Sequence, residues 1–181
     1  MPHEIIVGVT GGIAAYKTAS LVSGLVQDGY HVSVVMTRSA RKFVGPATFR
    51  ALTGRAVSTE MFDRRNFPLG PHIELAQQAK LLCVAPATAD FMAKAAHGMA
   101  DDLLSTLLLS FTGPVLLAPA MNADMWAKPA VQRNLAQLRS DGLHVVDPRE
   151  GWLSCRQEGV GRMAEPEEIN SAIVALLPKG E

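Results

Sequence analysis

Asn122 stands in Pro119-Ala120-Met121-Asn122, directly behind the apolar run Val115-Leu116-Leu117-Ala118. Pro86-Ala87-Thr88-Ala89-Asp90 repeats that arrangement behind Leu81-Leu82-Cys83-Val84-Ala85. Each places small residues and one polar side chain where a buried strand gives out, so a planar ring can approach the backbone. As a pair they read as pocket walls; singly, each also serves as a turn and helix cap. His72 follows Pro68-Leu69-Gly70-Pro71 at the start of a short helix, where an imidazole either caps the helix or titrates in a cleft. His72-Ile73-Glu74 alone is not a metal site. Cys155 lies in Gly151-Trp152-Leu153-Ser154-Cys155-Arg156, ahead of Gly159-Val160-Gly161-Arg162-Met163, a glycine-flanked loop able to close over a site. These polar surroundings are compatible with proton donation by Cys155, whereas Cys83, inside an apolar run, is an inert core residue.

The segment Gly8-Val9-Thr10-Gly11-Gly12-Ile13-Ala14-Ala15-Tyr16-Lys17-Thr18 invites comparison with two nucleotide motifs and satisfies neither. Tyr16 stands where a Walker A loop needs glycine before its lysine, so Lys17 begins inside a helix and cannot curl back to a nucleotide. Gly8, Gly11 and Gly12 miss the spacing of a dinucleotide fingerprint. What remains is a glycine pair opening a helix: either a plain turn, or free N–H groups and a positive dipole end suited to one phosphate. Thr37-Arg38-Ser39 sets two hydroxyls at the next strand end, for capping or for holding a phosphate.

All these segments follow runs with strand character. Residues 5–9, 31–36, 81–85, 115–119 and 143–146 are the predicted strands. Helical spacing recurs over residues 14–29, more weakly over 41–52 with a break at Gly45-Pro46, over 89–96, and from Glu165 through Leu177. Alternating strands and helices predict one α/β domain over residues 1–181. Its architecture is a Rossmann-like (flavodoxin-like) open, mainly parallel sheet with helices on both faces. Such sheets bind ligands beyond the strands' carboxyl ends, near a topological switch point.

The composition narrows the function. Lys+Arg 17 balances Asp+Glu 17, and no cationic stripe exceeds a pair such as Arg64-Arg65, so nucleic acid is excluded as a partner. A chain of 181 residues, 48% of them hydrophobic, buries about 70% of its unfolded surface and needs no disulfide or structural metal. The two cysteines lack CxxC spacing, which predicts a reduced, cytoplasmic protein. Met1-Pro2-His3-Glu4 carries no basic region ahead of an apolar core, and the apolar runs are too short to span a bilayer; neither export nor membrane insertion is expected.

Taken together, Gly11-Gly12-Ile13-Ala14-Ala15-Tyr16-Lys17, His72-Ile73-Glu74-Leu75, Pro86-Ala87-Thr88-Ala89-Asp90, Pro119-Ala120-Met121-Asn122-Ala123-Asp124-Met125 and Gly159-Val160-Gly161-Arg162-Met163 resemble the flavin-containing cysteine decarboxylases over nearly the whole chain. Within that family the resemblance is strongest to the branch acting on 4'-phosphopantothenoylcysteine in coenzyme A biosynthesis. It implies FMN as cofactor, held by Gly12, Ile13, Ala14, Ser39, Ala87, Thr88, Ala89, Asp90 and Ala118. It implies His72, Asn122 and Cys155 as catalytic residues, with Asn122, Met125, Arg162 and Met163 on the substrate. Asp90-Phe91 departs from the Asn-Thr of plant-like members and matches the acidic form of bacterial ones.

The implied chemistry explains the need for a flavin. Loss of CO2 from an N-acylcysteine leaves a carbanion with no electron sink. Oxidation of CH2–SH to a thioaldehyde by hydride transfer to FMN puts C=S β to the carboxylate, so CO2 departs to give an enethiolate. Return of the hydride, with Cys155 as the acid, gives 4'-phosphopantetheine. Asn122 would orient the carboxylate or amide, with Met125 beside it, and His72 would be the base or proton relay at the oxidation step. The resemblance also implies a homo-oligomer, a trimer or dodecamer of trimers with FMN between subunits, and a synthetase domain or protein as partner. A peptidyl-cysteine decarboxylase of lantibiotic maturation is disfavoured by Cys155, which it does not need. A flavin prenyltransferase would not carry this Asn122 motif, and a non-catalytic flavin-binding regulatory subunit would not retain His72, Asn122 and Cys155 together.

Overall fold

The computed structural model describes residues 3–63, 65–154 and 156–178. The first half of the chain runs β1 (Glu4–Val9), α1 (Ala15–Gln27), β2 (His31–Met36), a 3-10 turn (Ala40–Lys42), α2 (Pro46–Thr53), α3 (Pro71–Gln78) and β3 (Leu81–Ala87). It continues through α4 (Ala89–Ala96), α5 (Leu103–Ser110), β4 (Val115–Pro119), α6 (Ala123–Trp126), α7 (Pro129–Ser140) and β5 (His144–Val145). A hairpin of β6 (Arg149–Trp152) and β7 (Glu158–Arg162) precedes α8 (Pro166–Leu176).

Five strands pair in parallel in the order β2-β1-β3-β4-β5, the flavodoxin-like arrangement expected from the sequence. Side chains alternate between faces along a strand, and here both faces are apolar. Ile5, Val7 and Val9 of β1 join Leu81, Cys83 and Ala85 of β3 in a core shared with α1, α2 and α8. Ile6, Leu82 and Val84 face the opposite core, closed by α3, α4, α5 and α7. A bulge between Val84 and Ala87 shifts the register at the end of β3 and turns Ala87 to that second core. The chain reverses direction across the sheet between β1 and β3, and a crevice opens there.

The predicted strands and helices fall where expected, with α1 closing at Gln27 and β5 shorter than the run 143–146. The glycine-flanked loop expected around residues 151–163 is instead an antiparallel hairpin, since Glu150↔Val160 and Trp152↔Glu158 face each other in register. No helix among the described residues is long and apolar enough to cross a membrane.

Candidate active site

The carboxyl ends of β1, β3 and β4 open into a cleft of about 960 Å3. Its floor is the turn over residues 10–14. Gly12 N–H donates to the Thr10 carbonyl at 3.0 Å, and a Cβ on Gly11 would stand 2.3 Å from Ser39 Cβ. Glycine lets this turn lie against the end of β2, which brings Ser39 to the same cleft. Thr10 fastens the floor to the wall: its buried Oγ1 donates to the Pro86 carbonyl at 2.6 Å and accepts from Thr88 N–H at 3.1 Å. Thr18, inside α1, donates to the Ala85 carbonyl at 2.7 Å. Both buried hydroxyls are therefore satisfied across the β1–β3 crevice, as burial demands. Thr88 Oγ1 in turn accepts from Phe91 N–H at 3.3 Å and caps α4.

Asn122 is set by the end of β4. Its Oδ1 accepts from Asp124 N–H at 2.8 Å and Met125 N–H at 3.3 Å, capping α6. These two N–H groups on Oδ1 fix the plane of the amide at the end of β4. The β6–β7 hairpin stands opposite, bringing Trp152, Leu153, Ser154, Arg162 and Met163 to the cleft. Met121 N–H donates to the Gly161 carbonyl at 2.9 Å, so the hairpin is bonded directly to the turn that carries Asn122.

Two ion-pair clusters border the cleft. Lys94 bridges Asp90 at 3.3 Å and Asp101 at 3.0 Å. The Asp101 hydrogen bond is the largest cause of the raised Lys94 pKa, and the Lys94 ammonium holds the Asp101 carboxyl below its ordinary range. Lys17 is 8% exposed and bonds both Glu165 oxygens, at 3.0 and 2.9 Å, from within α1, as its helical position required. Cys83 is fully buried and desolvation pushes its thiol up to about 12, so it is unreactive.

Most of the sequence-selected residues share this one cleft: Gly12, Ile13, Ala14, Ser39, Thr88, Ala89, Asp90, Asn122, Met125, Arg162 and Met163. Ala87 and Ala118 do not line it. Both are fully buried in their strands, consumed by core packing, and the walls begin at Thr88 and Ala120. His72 is not brought to it either. Its carbonyl accepts from Ser110 Oγ at 3.2 Å, at the far end of α5 from Asp102, which does line the cleft. The length of that helix puts the two on the order of 10 Å apart. Cys155 lies outside the described residues; its neighbours Ser154 and Leu153 line the cleft. The sequence reading missed the roles of Thr10 and Thr18, whose partners lie 76 and 67 residues away. It also missed Trp152, whose one signal was an aromatic side chain in a polar, glycine-flanked stretch.

The Flavoprotein family profile matches residues 1–178. The chain belongs to the Flavoprotein family. Among curated Flavoprotein relatives, the coenzyme A biosynthesis bifunctional protein CoaBC of Mycobacterium tuberculosis is 48% identical over 179 residues, covering 99% of this chain and 42% of the relative. The Bacillus subtilis protein of the same name is 48% identical over 167 residues, covering 92% of this chain and 41% of the relative. The chain thus spans about two-fifths of the length of these relatives. A Cys→Ser variant of PPC decarboxylase complexed with pantothenoylaminoethenethiol superposes with a TM-score of 0.85 at 28% identity, covering 97% of this chain and 98% of that one. The FMN-dependent cysteine decarboxylase SpaF does so at 0.82 and 35%, covering 96% and 97%. This Flavoprotein chain therefore shares its fold with both decarboxylases over 96–97% of its length.

Proposed function

We propose that this chain is an FMN-dependent decarboxylase that converts 4'-phosphopantothenoylcysteine to 4'-phosphopantetheine in coenzyme A biosynthesis. The observation that supports the reading is the bond between the Asn122 turn and the β6–β7 hairpin, which sets Asn122 on one cleft with Leu153 and Ser154. The cleft fits the flavin on its own geometry. Its volume of about 960 Å3 is at the upper end of small-molecule sites. A Cβ on Gly12 would meet nothing closer than 3.7 Å, so the floor beside Thr88 is open to a flat ring. Gly12, Ile13, Ala14 and Ser39 would hold the phosphate end, and Thr88, Ala89 and Asp90 the ring end. Bound there, FMN would supply a two-electron acceptor, and in turn a two-electron donor, for the substrate's sulfur-bearing carbon.

The chain's own residues do the rest. Asn122 Nδ2 donates to the substrate's carboxylate or amide oxygen and fixes the carboxylate relative to the carbon to be oxidised. Met125, half exposed at 46%, packs beside it. Arg162 and Met163 border the substrate from the hairpin. Cys155 gives its proton to carbon at the final step, and His72 moves the proton released at the first.

His72 does not line its own chain's cleft, which supports a site shared between two copies. A homo-oligomer that seats α3 of one subunit at the cleft of the next supplies the imidazole, and the exposed apolar side chains Ile13, Tyr16 and Ile73 give such a contact its area. The same reading places the protein in the cytoplasm, as a single domain working with a synthetase domain or protein.

Purified protein is expected to carry FMN and to release CO2 from 4'-phosphopantothenoylcysteine with no net flavin reduction. Cys155→Ser is expected to accumulate the enethiol, resolved by mass spectrometry. Normal turnover by that variant removes Cys155 as the acid. Faster turnover of a peptide ending in cysteine than of the small substrate favours the peptidyl-cysteine decarboxylase instead.

A further inference from the structure

Both ends of the β6–β7 hairpin are tied to the first turn of α8. Arg149 and Arg162 face each other in register at the open end of the hairpin. Arg162 donates to Glu165 Oε1 at 2.5 Å, and Arg149 pairs with Glu168. Glu165 and Glu168 are the two members of one capping box: Glu165 N–H donates to Glu168 Oε2 at 3.1 Å. Glu165 also takes both its oxygens to Lys17, whose side chain is 9% exposed and whose helix opens at the cleft floor. One carboxylate therefore joins α1, α8 and the hairpin. Its two cations are not equivalent. Lys17 is buried, so its ammonium needs a partner there. Arg162 is 42% exposed in its side chain and lines the cleft, so its pairing adds little to stability but fixes where the strand end sits.

We propose that Glu165 is a positioning residue: by holding Arg162 while neutralising Lys17, it sets the β6–β7 hairpin, with its cleft-lining Trp152–Ser154 edge, at the height the substrate needs. Beyond the two tied ends, the hairpin is held by Gly161 against Met121 and by the buried Leu153. Arg156, at its tip, is exposed and has a φ of +63°. Loss of the Glu165 tie frees the Arg162 end, and tip excursions become more frequent. The catalytic consequence rests on the function proposed above; the mechanical one does not.

The test uses the full-length oligomer and two variants. Glu165→Gln strands the Lys17 ammonium and is expected to lower the melting temperature. Lys17→Met/Glu165→Gln removes the buried charge with its partner and is expected to recover most of that loss, while leaving Arg162 without its carboxylate. Tryptic nicking after Arg156 under native conditions, followed by mass spectrometry, is expected to rise about tenfold in both variants, because it reports local opening. In the flavin-loaded enzyme, KM for the substrate is expected to rise about tenfold while FMN affinity stays within about twofold. Nicking of the double variant at the parental rate overturns the proposal. Faster nicking with unchanged KM overturns its catalytic half, and a parent that binds no flavin defeats the proposed function while leaving the nicking result to stand.

Discussion

Met121 and Gly161 meet backbone to backbone: the Met121 N–H donates to the Gly161 carbonyl at 2.9 Å, and a Cβ at position 161 would come 2.3 Å from the Met121 carbonyl oxygen. No side chain can yield there, because the obstacle is main chain. Gly161→Ala therefore must separate the hairpin from the turn that caps with Asn122. A stability loss of about 2–4 kcal/mol in urea unfolding is expected, of the size produced by backbone strain and a broken contact. Turnover should fall about 100-fold even where the variant folds, because misplacement of reacting groups is enough to cost that much.

Asn122 Oδ1 caps the helix, and on the proposed function the amide also orients the substrate. Asn122→Asp keeps an acceptor for Asp124 and Met125 N–H and removes the donor. Its melting temperature is expected to match the parent, with decarboxylation lost. Asn122→Ala removes the cap as well and should cost about 1 kcal/mol in addition. Equal activity in the Asp variant and the parent would remove Asn122 from substrate binding.

The distance between His72 and its own cleft gives a subunit-mixing experiment. His72→Asn and Asn122→Asp are each expected to be inactive alone. Mixed and reassembled, they should regain roughly a quarter of native activity, since one site in four receives a native imidazole from one copy and a native amide from another. No recovery, in oligomers shown by mass to be mixed, would place both residues on one chain's site.

The tie between Arg149 and Glu168 carries a pH signature. The Arg149 hydrogen bond, with help from Glu165 N–H, holds the Glu168 carboxyl below the ordinary value of 4.5. A carboxyl lowered on folding stabilises the fold above its unfolded pKa and loses that contribution as pH falls through the folded one. The hairpin root should stay tied through pH 5 and loosen only in acid. Amide exchange across β7, extrapolated for intrinsic rate, should rise below about pH 4. In Arg149→Met the tie is absent at every pH, so exchange should already be raised at neutral pH and its further rise in acid should be lost; a profile unchanged from the parent would show that the pair does not hold the strand.

The sequence alone determined the layer architecture and most of the segments that meet at the cleft. Strands 81–87 and 115–119 are apolar without interruption because both faces are covered, and that pattern needs no partner to be visible. The small and polar residues after each strand follow from the same local rule. What only the tertiary structure decided are relations between distant segments: the Thr10 hydroxyl on Pro86 and Thr88, the Lys17–Glu165 pair across 148 residues, and Gly161 seated on Met121. It also removed Ala87 and Ala118 from the cleft surface, through a strand bulge and core packing, and left His72 at the opposite end of α5 from the cleft-lining Asp102. A hydrogen bond or ion pair between remote residues leaves no period in either segment. Its partners are chosen by how the sheet closes, and strand order is set by packing both cores at once.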